Sequence, residues 1–326
     1  MGTVEIPFLL FLLLGGGVFF SIYSRFAPFK YFSHGVKILM GKYNDPNDPG
    51  EITHFQALTS ALASTVGLGN ISGVAIAIQM GGPGALFWMW VSALLGMSTK
   101  FFSCTLSILY RGKDDQGQIQ GGPMYYIENG LGKRFKPLSI LFSLAGLIGC
   151  TVMFQSNQLA DIIRDQVFLP NNMFVENALM GDFLQGLIMA TLTGIVIFGG
   201  IQRIGQVASY LVPIMVILYL LSGLLIIFNH ITEIPSLFAL IVNDAFTGDA
   251  VMGGAVGAVI IAGVRRALFS NEAGLGTSDM AHGAAQTKEP VREGLVAMIE
   301  PFIDTIIVCT ITALVFYHQE YGKRKD

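Results

Sequence analysis

The chain has 326 residues, of which 52% are hydrophobic and only 13% are charged, and its mean hydropathy is +0.61. Soluble domains carry about 25% charged residues, so this composition excludes an ordinary soluble protein and indicates an integral membrane protein. The net charge of −3 says nothing about a partner, and we expect no binding to nucleic acid. Three widely spaced cysteines in apolar runs, Cys104, Cys150 and Cys309, predict neither a disulfide nor a metal site.

Eight apolar segments are long enough to cross a bilayer, at about 20 residues per crossing. They are residues 6–23, 54–80, 85–110, 137–159, 183–200, 207–228, 251–285 and 291–317. No long polar insert separates them, so the sequence predicts one all-α polytopic membrane domain over residues 1–326. A hydrophilic tail, residues 318–326, follows the last segment.

Lysine and arginine concentrate in alternate connections between these segments. The connections after the first, third, fifth and seventh segments contain Arg25, Lys30, Lys37, Lys42, Arg111, Lys113, Lys133, Arg134, Lys136, Arg203 and Lys288. The opposite connections contain Arg164 among acidic residues. Because basic loops stay in the cytoplasm, we predict a multi-pass protein of the cell membrane with its amino terminus outside. The basic tail 323–325 would lie on the wrong side and is the exception.

The second apolar segment contains a cluster of glycines and polar residues at its centre. Gly67, Gly69 and Gly73 stand there with Thr65 and Asn70. Backbone that leaves the helix is tolerated at membrane depth only where protein or a watery cavity covers it. A helix broken in this way is typical of the binding site of a secondary transporter.

The seventh apolar segment is interrupted as well. It is too long for one straight crossing of about 30 Å, and residues 265–276 place glycines, a hydroxyl and an amide in its middle. The second segment opens a set of five spans, residues 54–228, and the seventh opens the next set, residues 251–317, after the leading helix 6–23. Interrupted helices at matching positions of two repeats indicate a transporter's site; glycines that merely let helices pack closely are the alternative.

The two breaks would free backbone groups of opposite character. Amides at the start of a half-helix, together with the positive end of its dipole, attract a carboxylate. Carbonyls at the end of the other half-helix, with the side-chain oxygens of Thr65, Asn70 and Ser270, suit a hard cation such as sodium or an ammonium group. The sequence therefore predicts a site for an amino-acid zwitterion together with Na⁺.

Four strings of this chain resemble the alanine/glycine:cation symporter family, also called sodium:alanine symporters. They are Gly-Gly-Pro-Gly-Ala-Leu-Phe-Trp-Met-Trp (81–90), Gly-Gly-Pro-Met-Tyr-Tyr-Ile (121–127), Phe-Ser-Asn-Glu-Ala-Gly-Leu-Gly (269–276) and Glu-Pro-Phe-Ile-Asp-Thr-Ile-Ile-Val-Cys-Thr (300–310). The resemblance implies a LeuT-type inverted-repeat fold with one extra leading helix. It also implies symport of small neutral amino acids such as alanine or glycine, driven by sodium or protons, with no cofactor besides the coupling ion.

The same resemblance implies roles for individual residues. The second segment shares the string Val-Gly-Leu-Gly-Asn with the neurotransmitter:sodium symporters. By that similarity, one sodium is expected at the carbonyls of Ala63 and Val66, and another at the Thr65 carbonyl and the Asn70 side chain. The substrate carboxylate is expected at the amides of Gly67 and Gly69. The expected substrate-binding set is Thr65, Gly67, Gly69, Asn70, Phe269, Ser270, Asn271 and Gly274.

Several ionisable residues lie in or near the apolar segments, where charge is expensive and a functional role is the default hypothesis. We expect Glu272 and Asp304 to serve ion coupling or to fix the broken helix. Arg265 and Arg266 fall in the outer half of the seventh segment, where they form an extracellular gate or extend to the lipid headgroups. Two further acidic residues, Asp279 and Glu300, are expected to be paired or hydrated near the inner surface.

The sequence departs from the family pattern in its number of helices. A LeuT-type core needs two sets of five, whereas this chain supplies five and two after its leading helix. We therefore expect an incomplete second repeat in a C-terminally truncated transporter, and a non-functional fragment is one alternative. A cation channel is another, because Thr-Val-Gly-Leu-Gly (65–69) resembles a potassium filter, although a filter lies in a short re-entrant loop. The sequence contains neither H-E-x-x-H nor G-x-S-x-G, so we do not expect an enzyme.

Overall fold

The structure is a computed structural model that describes residues 8–115, 117–150, 153–174, 177–246 and 256–322. Parts of four predicted elements lie outside the described residues: positions 6–7 of the leading helix, 151–152 of the fourth segment, 251–255 of the seventh segment and 323–326 of the tail. The described chain is almost entirely helical, with one antiparallel pair of short strands.

The elements follow one another in this order. The helices are α1 Phe8–Tyr23, α2 Ala27–Lys30, α3 Phe32–Leu39, α4 His54–Thr65, α5 Leu68–Gly81, α6 Gly84–Leu109, α7 Pro123–Leu131, α8 Lys136–Gly149, α9 Met153–Ile163, α10 Ala178–Ile197, α11 Gly200–Asn229, α12 Ile234–Phe246, α13 Val256–Asn271, α14 Thr277–Gly283, α15 Pro290–Ala297, α16 Ile299–Pro301 and α17 Thr310–Gly322. The strands are β1 Gly112–Lys113 and β2 Ile119–Gln120. Short 3₁₀ turns cover Lys133–Phe135 and Ile231–Glu233, and π-helical segments cover Arg164–Phe168 and Phe302–Cys309.

Within the described residues, four helical stretches are long and apolar enough to cross a membrane: α6, α10, α11 and Pro290–His318. α4 and α5, which meet at an angle of 46°, provide a fifth crossing if they are taken as one broken span. The other predicted crossings are shorter or divided: the first is a short apolar helix, the fourth splits into α8 and α9, and the seventh into α13 and α14. The structure is thus all-α with several long apolar helices, and the predicted number of eight spans stays a prediction.

Helix α12 corrects the sequence analysis, which placed no element between the sixth and seventh segments. At 13 residues it is shorter than the roughly 20 that a crossing needs. It packs on α6 through buried Leu237, Ile241 and Ala245. The Asp244 carboxylate accepts a hydrogen bond of 2.6 Å from the Gly84 amide, at the start of α6, where the helix dipole favours negative charge.

Helix α6 is the centre of the molecule, because α1, α12, α13, α14 and α15 all pack against it. Small residues permit these close contacts. A Cβ atom at Gly263 in α13 would overlap the Ala85 carbonyl in α6, and one at Gly96 in α6 would lie 2.9 Å from the Ala273 side chain. Such close approach through small residues is the usual way in which helices associate in membranes.

The outer helices carry large apolar side chains away from this core. Leu147 of α8, Leu179 of α10 and Leu225 of α11 are each more than two-thirds exposed. Apolar surface on this scale is not stable in water, and these helices therefore present the surface expected of a protein surrounded by lipid.

Candidate functional site

The predicted break in the second segment is present between α4 and α5. α4 begins at a capping box, in which Thr53 and Gln56 exchange hydrogen bonds, and ends at Thr65. Val66 and Gly67 then have extended backbones, and α5 begins at Leu68. In an unbroken helix the Gly67 amide would donate to the Ala63 carbonyl; here it donates to Asn70 Oδ1 at 3.1 Å. The last carbonyls of α4 are thereby released from the helical pattern.

The predicted break in the seventh segment separates α13 from α14. Ser270 and Asn271 end α13 and are fully buried. Glu272 follows with φ of 52°, and Gly274 has φ of 91°, so the chain turns through left-handed conformations that are rare for residues with side chains. The Asn271 side-chain oxygen accepts from the Ala273 amide at 3.0 Å, and the Glu272 carboxylate accepts from the Thr277 hydroxyl. This turn is therefore held by its own side chains.

Asn70 joins the two breaks. Its Nδ2 lies 3.1 Å from Ser270 Oγ and 2.5 Å from Asp304 Oδ1. Asp304 also accepts from Ser270 Oγ at 2.6 Å and from Thr305 Oγ1 at 2.9 Å. Asn70, Ser270, Asp304 and Thr305 are all fully buried, and buried polar groups remain stable when their hydrogen bonds are made. The predicted residues Asn70, Ser270 and Asp304 thus form one buried network.

The π-helical segment Phe302–Cys309 supplies Asp304 to this network. It follows Pro301, and π-helical turns inside α-helices often occur at functional sites. One turn further along, the Thr312 hydroxyl donates to the Asn70 carbonyl at 2.7 Å. The backbone exposed at the start of α5 is therefore covered by the last described helix, as hydrocarbon surroundings require.

Arg266 lies against α5, between the two breaks. It donates a hydrogen bond to the Gly69 carbonyl, and its guanidinium carbon lies 5.0 Å from the centroid of the Phe269 ring. A Cβ atom at Gly73 would overlap the guanidinium. Arg266 is therefore half-buried against protein in this conformation, whereas its neighbour Arg265 is exposed. The predicted role of the two arginines, as an extracellular gate or as side chains that extend to the headgroups, stays a prediction.

A cavity of about 580 Å³ opens beside the two breaks, within the usual size range of small-molecule sites. The predicted residues that line it are Ala63, Thr65, Gly67, Gly69, Phe269 and Glu272. Its opposite wall comes from α8 and α9 and includes Phe142, Gly146 and Gln155. Of the described residues, the other predicted ones do not line this cavity: Val66, Asn70, Ser270, Asn271, Gly274 and Asp304.

Only some of the cation ligands predicted on α4 and α5 therefore lie at the cavity. Ala63 and Thr65 line the cavity, whereas the Asn70 side-chain oxygen already accepts from Gly67. A carbonyl-type oxygen has two lone pairs, so Asn70 Oδ1 has capacity for one further partner. The predicted sodium ligation by Ala63, Thr65, Val66 and Asn70 stays a prediction.

Sequence reasoning missed a second buried network, which joins α6 to α16. The Lys100 ammonium and the Glu300 carboxylate are 2.6 Å apart and at most 1% exposed. Glu293 accepts from His54 through one carboxylate oxygen and from His282 through the other, the latter at 2.5 Å. Glu300 is paired, as one of its two expected states. Lys100 was also detectable, because a lone lysine inside an apolar helix is expensive and needs a partner, but the sequence did not show that the two residues pair with each other.

Asp279 is paired, as expected. It accepts from Ser103 at 2.7 Å and from the Tyr126 hydroxyl at 3.2 Å. Tyr126 lies on α7, outside the predicted spans, where burial and the adjacent Asp279 carboxylate raise the pKa of its hydroxyl. The hydroxyl therefore stays protonated and acts as a donor that connects α7 to α14.

Comparisons with known proteins agree with this architecture. The family profile described as "Sodium:alanine symporter family" matches residues 2–326. The sodium/alanine symporter AgcS of Methanococcus maripaludis is 41% identical over 314 residues, which are 95% of this chain and 67% of that protein. The probable sodium/glutamine symporter GlnT of Bacillus subtilis is 38% identical over 308 residues, 94% of this chain and 62% of that protein.

A third relative, the amino-acid carrier protein AlsT of Bacillus subtilis, is 37% identical over 311 residues, 94% of this chain and 63% of that protein. The chain spans about two thirds of the length of the curated relatives it matches. The family profile covers the leading helix, both breaks and the buried Asn70 network together. The chain therefore belongs to the sodium:alanine symporter family.

Proposed function

We propose that this chain forms the ion- and substrate-binding part of a cation-coupled amino-acid symporter. Sodium is the proposed coupling ion, and a small neutral amino acid such as alanine or glycine is the proposed substrate. The observation that carries the proposal is the meeting of two broken helices beside one cavity, where the Asn70–Ser270 hydrogen bond joins them at 3.1 Å.

The proposed substrate site uses the start of α5. The amides at the beginning of a helix point outward without helical partners and carry the positive end of its dipole, so they attract a carboxylate. Gly67 and Gly69 line the cavity at this point, and the Gly67 amide, which donates to Asn70 Oδ1 in this conformation, would change partner to bind the carboxylate. Phe269, on the opposite break, also lines it and offers an apolar surface to a short side chain. The substrate ammonium would then face the carbonyl end of α4.

The proposed sodium site uses the end of α4, where Ala63 and Thr65 precede the extended turn and Val66 begins it. Sodium and substrate would thus bind to the two sides of one turn, only a few residues apart. A cation that orders the carbonyl side of the turn also fixes its amide side and so raises the affinity for substrate. Bound substrate raises the affinity for the cation by the same factor, since coupling between two sites is reciprocal. This shared turn provides a physical basis for coupled binding.

We further propose a LeuT-type arrangement of inverted repeats, with residues 54–228 and 251–317 as the two sets after the leading helix 6–23. Its support is positional: a broken helix opens each set, α4–α5 in the first and α13–α14 in the second. The amino terminus would lie outside, and the basic connections in the cytoplasm.

The relatives agree on the class of transport and differ in substrate. One is named for sodium and alanine, and another for sodium and glutamine. The choice of alanine or glycine for this chain rests on its resemblance to the sodium:alanine symporters, and a binding competition between alanine, glycine, D-alanine and glutamine tests that choice.

The main experiment measures equilibrium binding of radiolabelled alanine to the purified chain, and its uptake into proteoliposomes, with and without sodium at constant pH. We expect binding in sodium and its loss when choline replaces sodium, with displacement by small neutral amino acids. Equal binding in the two media would exclude sodium coupling, and a response to a pH gradient in choline would assign the role to protons. Ion conductance without any amino acid would instead favour a channel.

A further inference from the structure

Three metal-binding side chains come together at the end of α11, away from the cavity. His230 directly follows α11, Glu233 ends the short 3₁₀ turn after it, and His318 lies on α17. One ligand atom from each residue can be chosen so that all three lie within 4.8 Å of one another. Among the residues that the structure describes, this is the one group of histidine, cysteine and carboxylate side chains that meets this criterion.

The contacts within the group are close. His318 Nδ1 lies 3.1 Å from Glu233 Oε2. The rings of His230 and His318 are stacked, with centroids 3.4 Å apart and planes inclined by 26°. All three side chains are half-buried, so an ion can reach them from solution while protein shields part of the site. The residues come from two elements far apart in sequence, and the fold alone brings them together.

The chemistry of the group indicates the class of ion. Two imidazoles and one carboxylate match the ligands of zinc and related transition metals, whereas calcium and magnesium prefer oxygen ligands alone. Ligands at 2.0–2.1 Å from a tetrahedral zinc lie about 3.3 Å from one another. His318 Nδ1 and Glu233 Oε2 are already 3.1 Å apart. Atoms near the outer limit of 4.8 Å need to approach by about 1.5 Å, which side-chain rotation at a half-buried surface permits.

A hydrogen-bonded pair with a stacked ring is the other interpretation of this group. In that arrangement the Glu233 carboxylate is hydrogen-bonded to the His318 imidazole, and the His230 ring stacks on the His318 ring. A metal would use the same three side chains, with the imidazoles in the neutral form, so the two interpretations are distinguished by a test of metal binding.

We propose that His230, Glu233 and His318 bind a zinc-class divalent cation, with water at the remaining position. The site lies at the end of α11 opposite Arg203, on the face that the predicted topology places outside the cell. Bound metal would tie the end of α11 to α17, the helix whose Thr312 hydroxyl bonds the Asn70 carbonyl. The site is separate from the proposed substrate cavity and does not depend on it.

The test uses the chain purified with a tag that contains no histidine and stripped of metal with a chelator. Cobalt(II) serves as the probe, because its visible absorption reports a tetrahedral site, and zinc is then added as a competitor. We expect one equivalent of cobalt to bind with a tetrahedral spectrum and zinc to displace it. Absence of specific binding by the unmodified chain would overturn the proposal.

Four variants locate the site. His230→Ala, His318→Ala and Glu233→Gln should each weaken binding by about tenfold or more, because even outer-shell changes at metal sites cost that much. His34→Ala is the matched control, since His34 is also half-buried and packs near an aromatic ring, that of Tyr43 at 5.2 Å. An equal loss in His34→Ala, or unchanged binding in the three site variants, would contradict the assignment.

A measurement on the unmodified chain covers the case in which a variant fails to fold. Zinc K-edge X-ray absorption of the loaded protein should show two imidazole ligands, recognisable by multiple scattering from their rings. Coordination by oxygen alone, or by sulfur, would overturn the proposal.

Discussion

The Asn70 amide nitrogen lies 2.5 Å from the Asp304 carboxylate, although 234 residues separate the two in the sequence. This contact joins the start of α5 to the π-helical segment before α17. A second hydrogen bond from the same nitrogen reaches Ser270 at the end of α13. The two broken helices and the last described helix are therefore linked through one asparagine side chain.

Replacing Asn70 tests that link. Asn70→Ala removes one donor to Asp304 and the cap of the Gly67 amide, and an unsatisfied buried group costs about 1–3 kcal/mol. We expect weaker binding of both sodium and the amino acid, measured by titrating each in the presence of the other. Ser72→Ala is the control, because its hydroxyl bonds the Leu68 carbonyl of its own helix. Normal sodium dependence in Asn70→Ala would mean that Asn70 serves packing alone.

Adding a methyl group at Gly73 tests the position of Arg266. The new Cβ would overlap the guanidinium that bonds Gly69, and overpacking of this kind costs about 1–3 kcal/mol. We expect Gly73→Ala to displace Arg266 and to lower alanine affinity. Gly186→Ala is the control, since its Cβ would meet nothing within 4 Å. Equal alanine affinity in the two variants would show that the position of Arg266 does not affect substrate binding.

Breaking the buried Lys100–Glu300 pair should lower the stability of the protein strongly, and removing both charges should restore most of it. Lys100→Met leaves Glu300 buried without its cation, and breaking such a pair costs about 3–5 kcal/mol. We expect a clear fall in the melting temperature of the purified protein, largely restored by the double change Lys100→Met with Glu300→Leu. Lys136→Met is the control, because Lys136 is 60% exposed and 3.7 Å from Glu128, and exposed pairs contribute about 0–1 kcal/mol. Similar melting temperatures for the two single variants would refute a structural role for the pair.

The predicted orientation is open to direct chemical labelling. Cys150 is exposed, whereas Cys104 and Cys309 are buried, so Cys150→Ser gives a suitable background. In that background Lys288→Cys, at a side chain 62% exposed, should react with an impermeant maleimide only from the cytoplasmic side. Asn171→Cys, on the connection between α9 and α10, should react from outside. The reverse pattern would invert the topology.

The positions of both helix breaks could be predicted from sequence, because their causes are local. Glycines beside hydroxyl and amide groups, at Gly67–Asn70 and again at Ser270–Gly274, interrupt a helix wherever the fold covers the freed backbone. The strongly apolar α6, α10 and α11 were predictable for the same reason: a long run without charge has few other stable environments. The short α12 escaped this reasoning, since it is not long enough to cross a membrane and depends on packing against α6.

Tertiary structure alone decided which partners meet. Lys100 finds Glu300, Glu293 lies between His54 and His282, and Arg266 lies over Gly73, through contacts between residues far apart in the chain. The sequence indicates that a buried lysine needs a charged partner, but by sequence alone many acidic residues could be that partner. Which acidic residue becomes the partner depends on where the helices cross. The crossing positions depend on the packing of all their side chains together and not on any short segment of sequence.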